Sequence, residues 1–248
     1  MPPRKLQASI EVEAAQAETH STSRPSWPET GVAGIHVLPV PSLPRSVNGS
    51  LKRVVDVVGA VALALVFSPL ILGIAVWIRS SSSPAIYGHR RVGQNGRLFQ
   101  CLKFRTMVPD AERVLKELLE QSPALKAEWM RDHKLRNDPR VTQLGAFLRR
   151  TSLDELPQLW NVFLGEMSLV GPRPVVWEEL SKYGRSLTTY LATKPGITGL
   201  WQVMGRSNTT YRRRVAMDVY YARNHSLAFD LYILMKTTRI VALGHGAY

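Results

Sequence analysis

The sequence is poor in the residues from which disulfide and metal-binding modules are built. It contains one cysteine, Cys101, in 248 residues. An intramolecular disulfide therefore cannot form, and a small secreted domain held by disulfides is excluded. A zinc module built on several cysteines is excluded for the same reason. The six histidines show neither the H-x-x-x-H nor the H-E-x-x-H spacing, which gives a histidine metal site little support.

Familiar nucleotide and nucleic-acid motifs are missing as well. The sequence has no Walker A loop and no Rossmann G-x-G-x-x-G, so a bound nucleotide would be held in another way. It has no RNA-recognition, helix-turn-helix or zinc-finger pattern. Acidic residues are scarce, since 19 Asp and Glu stand against 32 Lys and Arg for a net charge of +13. This excess leaves nucleic acid, an anionic membrane surface and a phosphorylated substrate open as partners.

The first 50 residues have the composition of a tail. They hold seven of the 16 prolines, and their four basic and four acidic residues balance, so residues 51–248 carry the whole net charge. Proline removes a backbone donor and disfavours helix in the residue before it. No apolar core follows a basic start, which argues against a signal peptide. We expect residues 1–50 to be a disordered tether, with a docking motif at 31–44 as the less favoured alternative.

Residues 57–78 form an apolar run of 22 residues without a charged side chain. A straight helix at ~1.5 Å per residue would cover roughly 33 Å, about one hydrocarbon core. However, Ser68 and Pro69 interrupt the middle of the run, and proline there bends a helix. Basic residues flank both ends, which the positive-inside rule places on the cytoplasmic side. We therefore favour a re-entrant helix-break-helix over residues 51–79, ahead of a single span and, last, a buried core helix.

Residues 80–248 predict a mainly α domain with a small β-hairpin. Two β-rich segments flank Gly-Gln-Asn-Gly at 93–96, and Asn-Gly between such segments favours a hairpin. The stretch at 165–174 is rich in turn residues. The final helix is mostly apolar, which fits either the core or a membrane interface. Apolar periodicity and capping residues predict helices over residues 109–121, from 122 onward, and over 141–150, 210–224 and 227–243.

The most informative stretch is Arg-Arg-Thr-Ser-Leu-Asp-Glu-Leu-Pro-Gln at 149–158. Ser152 and Glu155 match a capping box, although Pro157 prefers the first helical position. On this interpretation Asp154 and Glu155 lie at a helix N-terminus, which suits an anion. Alone, the window is explained more simply by a capped and solvated helical turn. A polyphosphate site gains support from basic residues in turns bracketed by Gly or Pro, at 103–107, 137–140, 171–174, 194–199 and 205–206.

A series of segments, in the order in which they are given at the end of this paragraph, closely resembles the motifs of the bacterial sugar transferase family. These proteins are the monotopic polyprenyl-phosphate hexose-1-phosphate transferases. The resemblance covers about residues 50–248. The variant at 101–103 and the ending at 244–248 are most similar to the exopolysaccharide-initiating galactose-1-phosphate transferases. After the run broken by Ser-Pro, the segments are Lys-Phe-Arg-Thr-Met at 103–107, Asp-Pro-Arg-Val-Thr at 138–142, Leu-Asp-Glu-Leu-Pro-Gln at 153–158, Gly-Pro-Arg-Pro at 171–174 and Lys-Pro-Gly-Ile-Thr-Gly-Leu-Trp-Gln at 194–202.

The resemblance implies a reaction at the cytoplasmic face of the bacterial plasma membrane. Galactose 1-phosphate or glucose 1-phosphate would pass from a UDP-sugar to undecaprenyl phosphate, releasing UMP, as the first membrane step of exopolysaccharide synthesis. It implies that Asp154 is the nucleophile, forming an aspartyl-phosphosugar intermediate, and that Glu155 holds Mg²⁺. The residues that match positions binding the substrate phosphates are Lys103, Arg149, Arg173 and Arg206.

Other functions and mechanisms stay open beside this one. A membrane scaffold for polysaccharide assembly would have no need of the Asp154 and Glu155 pair. A membrane-tethered nucleic-acid binder would explain the positive charge and little else, so we expect no nucleic-acid partner. A one-step transfer with Asp154 as base competes with the covalent route. We also expect interfacial amphipathic helices, contacts with anionic lipids of the inner leaflet and a homo-oligomer.

Overall fold

A computed structural model describes residues 47–81, 83–132, 135, 137–205 and 209–242. Residues 1–46, which hold most of the predicted tail, lie outside the described residues. The described chain is mainly helical, with two small two-stranded sheets. This confirms the predicted mainly α class and adds one sheet to it.

The apolar run forms two helices with a sharp bend between them. Helix α1 spans Val47–Val66 and helix α2 spans Ser68–Ser80, and the pair is bent by 64°. The break falls at the predicted Ser68-Pro69 step, where the Ser68 hydroxyl donates to the Leu65 carbonyl at 2.7 Å. Within the described part of the chain, no single helix is long and apolar enough to cross a membrane. The bent pair meets that test by length and composition, as a broken span or a re-entrant segment does.

The predicted hairpin is confirmed. Strand β1 (Ile86–Val92) pairs antiparallel with strand β2 (Leu98–Phe104). A short 3₁₀ turn at Gln94–Gly96 joins them, and Asn95 there has a φ of 58°. Side chains alternate along a strand, so every second residue shares a face. One face buries Phe99 and Cys101 and also carries Lys103.

A second sheet lies where the sequence predicted only turns. Strand β3 (Ser168–Val170) pairs in parallel with strand β4 (Gly196–Thr198). Each strand has three residues, too few for a strand period to show in the sequence. All three side chains of β3 are buried. Because the strands are parallel, the loops that follow them leave the same edge of the sheet.

The predicted helices are present with small changes of boundary. Thr142 and Thr210 cap α5 and α9 by accepting hydrogen bonds from backbone N–H groups of the first turn. The helices are α3 (Ala111–Gln121), α4 (Pro123–Asp132), α5 (Gln143–Thr151), α6 (Gln158–Leu164), α7 (Leu187–Leu191), α8 (Leu200–Met204), α9 (Tyr211–Asn224) and α10 (Leu227–Ala242). Two more 3₁₀ segments lie at Leu153–Glu155 and Trp177–Ser186.

The bent helix pair belongs to the hydrophobic cores of the domain. Ala60 of α1 is buried in the largest apolar cluster, which includes residues of β2, α6, α9 and α10. Ile74 and Ile78 of α2 pack in another cluster with Phe104 and Leu148. The final helix, α10, contributes to the core. Its Ile233 is fully buried, whereas Leu231 and Met235 are more than half exposed.

Polar contacts also attach α1 to the domain. The Lys52 ammonium lies 2.6 Å from an Asp230 carboxylate oxygen. Buried Asp56 accepts hydrogen bonds from the Ser168 hydroxyl at 3.0 Å and from the Leu169 N–H at 3.1 Å. Arg53 donates to the last carbonyls of α6 at 2.6 and 2.8 Å. The basic flank that suggested a membrane orientation is therefore engaged with the protein itself.

Candidate active site

Asp154 and Glu155 lie in the tight turn that joins α5 to α6. Ser152 ends α5 in the left-handed conformation, with a φ of 59°, and the 3₁₀ segment follows at once. The predicted capping box is wrong, because Ser152 terminates one helix instead of starting the next and makes no side-chain cap. The two acidic residues therefore stand before α6, which begins only after Pro157.

Lys103 of β2 brings the two carboxylates together. Its Nζ lies 2.6 Å from Glu155 Oε1 and 3.5 Å from Asp154 Oδ2. The Asp154 side chain is only 10% exposed, whereas the side chains of Glu155 and Lys103 are about one-third exposed, at 30% and 31%. One buried carboxylate thus lies beside a solvent-facing ion pair.

The surroundings drive the pKa values of these two carboxylates in opposite directions. Burial raises the pKa of Asp154 above its ordinary value, although Lys103 and Arg149 oppose the rise. Burial would also raise the pKa of Glu155, but the ion pair and hydrogen bond with Lys103 outweigh it, and the net pKa is lowered. The pKa of Lys103 is raised, because the two carboxylates overcome the effect of burial. Asp154 is thus the more basic carboxylate beside a lysine that stays charged.

Two of the predicted phosphate-binding arginines lie near this group. Arg149 stands in the last turn of α5, and its Nε donates to the Thr106 hydroxyl at 2.9 Å. Its charge acts on Asp154. Arg173 lies in the loop after β3, and its charge acts on Glu155 and Lys103. Among the described residues, no carboxylate lies within 4.0 Å of the Arg173 guanidinium. That guanidinium therefore has capacity for an anionic ligand.

Other basic residues from the turn motifs have different roles. Arg140 is buried and donates to both carboxylate oxygens of Asp138, at 2.8 and 2.6 Å, so its charge is already paired. Lys194 lies near Arg53 of α1, and burial together with the Arg53 charge lowers the pKa of Lys194. Arg206 lies outside the described residues.

Arg91, which no sequence motif singled out, supports the Arg173 loop. Arg91 of β1 donates to the Pro174 carbonyl at 3.4 Å and lies 3.8 Å from Glu179. The Arg173 guanidinium carbon is 5.6 Å from the centre of the Trp201 ring. The only signal for Arg91 was strand alternation, which puts it on the same face of the hairpin as Lys103.

The carboxylates of this site suit a metal ion that takes its remaining ligands from a bound substrate. In the described ranges, no three His, Cys, Asp or Glu residues converge on one point. Mg²⁺ commonly takes one or two carboxylates and completes its shell with water and substrate phosphates. Asp154 and Glu155 fit that pattern. Glu155 would hold such an ion while its Oε1 also contacts Lys103.

Comparison with known proteins gives a consistent result. The profile of the bacterial sugar transferases matches residues 47–244. The chain is 50% identical over 198 residues to undecaprenyl-phosphate galactose phosphotransferase of Salmonella typhimurium, covering 80% of this chain and 42% of that protein. It is 48% identical over 205 residues to the exopolysaccharide production protein ExoY of Sinorhizobium fredii, covering 82% and 91%. It is 39% identical over 215 residues to a UDP-glucose:undecaprenyl-phosphate glucose-1-phosphate transferase of Caulobacter vibrioides, covering 83% and 75%. The chain thus spans less than half of the Salmonella protein and most of ExoY.

Proposed function

The chain belongs to the bacterial sugar transferase family, and on that premise we propose that it transfers hexose 1-phosphate from a UDP-sugar to undecaprenyl phosphate and releases UMP. The names of relatives support galactose or glucose as the sugar and exopolysaccharide synthesis as the process. The observation that carries the proposal is the buried Asp154 beside the Lys103 and Glu155 ion pair, with Arg149 and Arg173 nearby.

Asp154 is the proposed nucleophile. Its carboxylate oxygen attacks the β-phosphorus of the UDP-sugar, the bond from that phosphorus to the bridging oxygen breaks, and UMP leaves with the bridging oxygen and its electron pair. The raised pKa of Asp154 makes its oxygen more basic than an ordinary aspartate, while Lys103 and Arg149 favour the ionised form. The product is an aspartyl-phosphosugar.

The lipid phosphate completes the exchange. One of its oxygens attacks the same phosphorus, the bond to Asp154 breaks, and the carboxylate is regenerated. An acyl phosphate retains high transfer potential, so one diphosphate is exchanged for another. In the competing one-step route, Asp154 acts as a base and forms no bond to phosphorus.

The basic residues offset the negative charge of the two phosphates. Arg149 and Arg173 suit bidentate contacts with phosphate oxygens, and Lys103 supplies a fixed positive charge beside the nucleophile. Glu155, together with substrate phosphates, would hold Mg²⁺, which when bound neutralises charge on the diphosphate.

We further propose that the bent pair α1–α2 enters the cytoplasmic leaflet and returns, with α5 and α6 at the interface. The pair exposes large apolar side chains, among them Val66 at 71% and Trp77 at 63%. On α6, the Trp160 and Phe163 rings stack at 5.2 Å and are both largely exposed. Apolar surface of this kind marks an interaction site, and tryptophan favours membrane interfaces. The net charge of +13 adds attraction to anionic lipids.

The reaction is tested by UMP release from a panel of UDP-sugars, with undecaprenyl phosphate and Mg²⁺. The wild type is compared with Asp154→Asn and with Asp110→Asn, which changes an exposed carboxylate. We expect lipid-dependent UMP from one sugar, absent in Asp154→Asn and unchanged in Asp110→Asn. UMP released without lipid, in an amount stoichiometric with enzyme, supports the covalent route. No UMP from any sugar by a folded wild type contradicts the proposal for those donors.

The topology is tested with cysteines introduced at Ser50 and Ser81 in a Cys101→Ala background. A re-entrant pair makes both positions accessible to a thiol reagent from the cytoplasmic side. A single span places them on opposite sides, and that result would contradict the re-entrant arrangement.

A further inference from the structure

A column of cations and aromatic rings extends from the candidate site into the domain. The Trp201 ring lies near two guanidinium groups, with its centre 5.6 Å from the Arg173 carbon and 5.2 Å from the Arg214 carbon. Arg214 in turn lies 4.9 Å from the centre of the Tyr211 ring. Cations within about 6 Å of a ring centre are attracted to the π electrons. The Trp201 ring therefore lies beside both Arg173 and Arg214.

The charge of Arg173 acts on Glu155 and Asp218, but no carboxylate of the described chain lies within 4.0 Å of its guanidinium to fix the direction of the side chain. Arg140 shows the contrast, because both carboxylate oxygens of Asp138 fix its guanidinium. An unrestrained arginine side chain has many rotamers, and part of this freedom is lost when it binds a ligand. A ring that packs against the guanidinium removes some of this freedom beforehand.

The main chain of the Arg173 loop is fixed by other residues. The Tyr190 hydroxyl donates to the Arg173 carbonyl at 3.0 Å and accepts from the Val175 N–H at 3.2 Å. Arg91 donates to the Pro174 carbonyl at 3.4 Å. Loss of the Trp201 ring should therefore leave the loop in place and release only the arginine side chain.

Arg214 lies near two acidic residues, of which Asp218 is buried and Glu179 is partly exposed. The Arg214 side chain is only 12% exposed, and its Nη1 lies 3.9 Å from Glu179. Asp218, also near Arg214, is 1% exposed and accepts a hydrogen bond from the Tyr183 hydroxyl at 2.8 Å. The Glu179 carboxylate thus favours the position of Arg214 beside the ring.

We propose that Trp201 is a positioning residue that directs the Arg173 guanidinium toward the diphosphate of the donor. The inference rests on the proposed function, since it assigns Arg173 to the phosphates. The parallel pairing of β3 with β4 is what brings the two residues together, because each follows one strand at the same edge of the sheet. Trp201 itself need not touch the substrate.

The test is a double-mutant cycle measured by calorimetric binding of UDP in the presence of Mg²⁺, which does not require the sugar to be known. We expect Trp201→Leu to weaken UDP binding by about 3- to 30-fold, the range for a cation–π contact at 1.4 kcal/mol per tenfold change. Trp201→Phe should retain most of the affinity, since it keeps a ring and the indole N–H donates to no described residue. Trp177→Leu, a change at a tryptophan that is 42% exposed, is the matched control and should have no effect.

In an Arg173→Ala background, Trp201→Leu should weaken binding by less than about twofold, because the residue through which it acts is gone. An equal loss in both backgrounds would overturn the inference, as would a phenylalanine variant as weak as the leucine variant. If Trp201→Leu does not fold, Trp201→Met takes its place in the cycle. A wild type that does not bind UDP contradicts the proposed function, whereas tight wild-type binding with Trp201→Leu unchanged contradicts only the positioning role.

Discussion

Replacing Lys103 with methionine tests the electrostatics of the site directly. Coulomb's law for the 3.5 Å between Lys103 and Asp154 gives about 5 kcal/mol at an effective dielectric constant of about 20 and about 1 kcal/mol in bulk water. Because Lys103 is 31% exposed, solvent screening places the interaction between these limits. A change of 1.4 kcal/mol moves a titration by about one pH unit, so even the lower part of this range is measurable.

The sign of the effect follows from the charges. The ammonium of Lys103 favours the ionised carboxylates and lowers both of their pKa values. Without it, the pKa of Asp154 rises, and a larger fraction is protonated and unable to attack at a given pH. We expect the acid limb of kcat/KM to move to higher pH in Lys103→Met. We also expect kcat at the optimum to fall about 100-fold or more, as for loss of one group that stabilises a transition state.

The assay is the pH dependence of UMP release between pH 5 and 9, at about one-unit steps or finer to resolve a shift of one unit. Lys103→Arg keeps the positive charge and should leave the acid limb near its wild-type position. Lys116→Met removes an exposed lysine, 80% accessible on α3, and should change nothing. An acid limb that stays in place or moves to lower pH in Lys103→Met would refute the reasoning.

Three further predictions concern packing and protonation. Gly145→Ala should lower the free energy of unfolding in detergent by about 1–3 kcal/mol, because its Cβ would overlap the Thr106 carbonyl. Gly73→Ala, with no atom within 4 Å of the added Cβ, should not lower it, and equal losses would contradict the packing argument. Burial raises the pKa of Cys101 to about 11, so maleimide at pH 8 should label it only after unfolding; rapid labelling of the folded protein would show that the thiol is accessible. Burial raises the pKa of Asp218 to about 7, whereas an aspartate in the unfolded chain releases its proton near pH 4. Between these two pH values the native state therefore holds a proton that the unfolded state has lost. Stability from this group is therefore lost as pH rises from about 4 to 7, and Asp218→Asn should flatten the pH dependence of unfolding there; an unchanged slope would contradict it.

Local signals predicted the local structure well. Asn-Gly marked the turn of the β1–β2 hairpin, and Ser68-Pro69 marked the break between α1 and α2. In each case the cause lies within a few residues, in a positive φ or a missing N–H. The capping box failed for a related reason. The same Ser-x-x-Glu pattern is compatible with a helix start and with a helix end, and the left-handed Ser152 decides between them only in three dimensions.

The sequence could name candidate residues for the site but not their contacts. Lys103 and the Asp154–Glu155 pair are about 50 positions apart, and only the packing of β2 against the α5–α6 turn shows that they form one cluster. Arg140 and Arg173 look alike in their motifs, yet Arg140 is paired within its own turn, whereas the charge of Arg173 acts on Glu155 and Lys103. Strands β3 and β4 are too short to show in the hydrophobic pattern of the sequence. The contact between Arg173 and Trp201, which depends on their pairing, could therefore not be predicted either.

Helices α1 and α2 are part of the domain core and not a separable module. Ala60, Ile74 and Ile78 complete its apolar clusters, and Asp56 is the acceptor for the Ser168 hydroxyl and the Leu169 N–H. A chain truncated to begin after residue 80 would lose these partners and should be unstable in isolation. For the same reason, the helix pair of a distant relative could not be grafted onto this domain unless the matching buried surface were transferred with it.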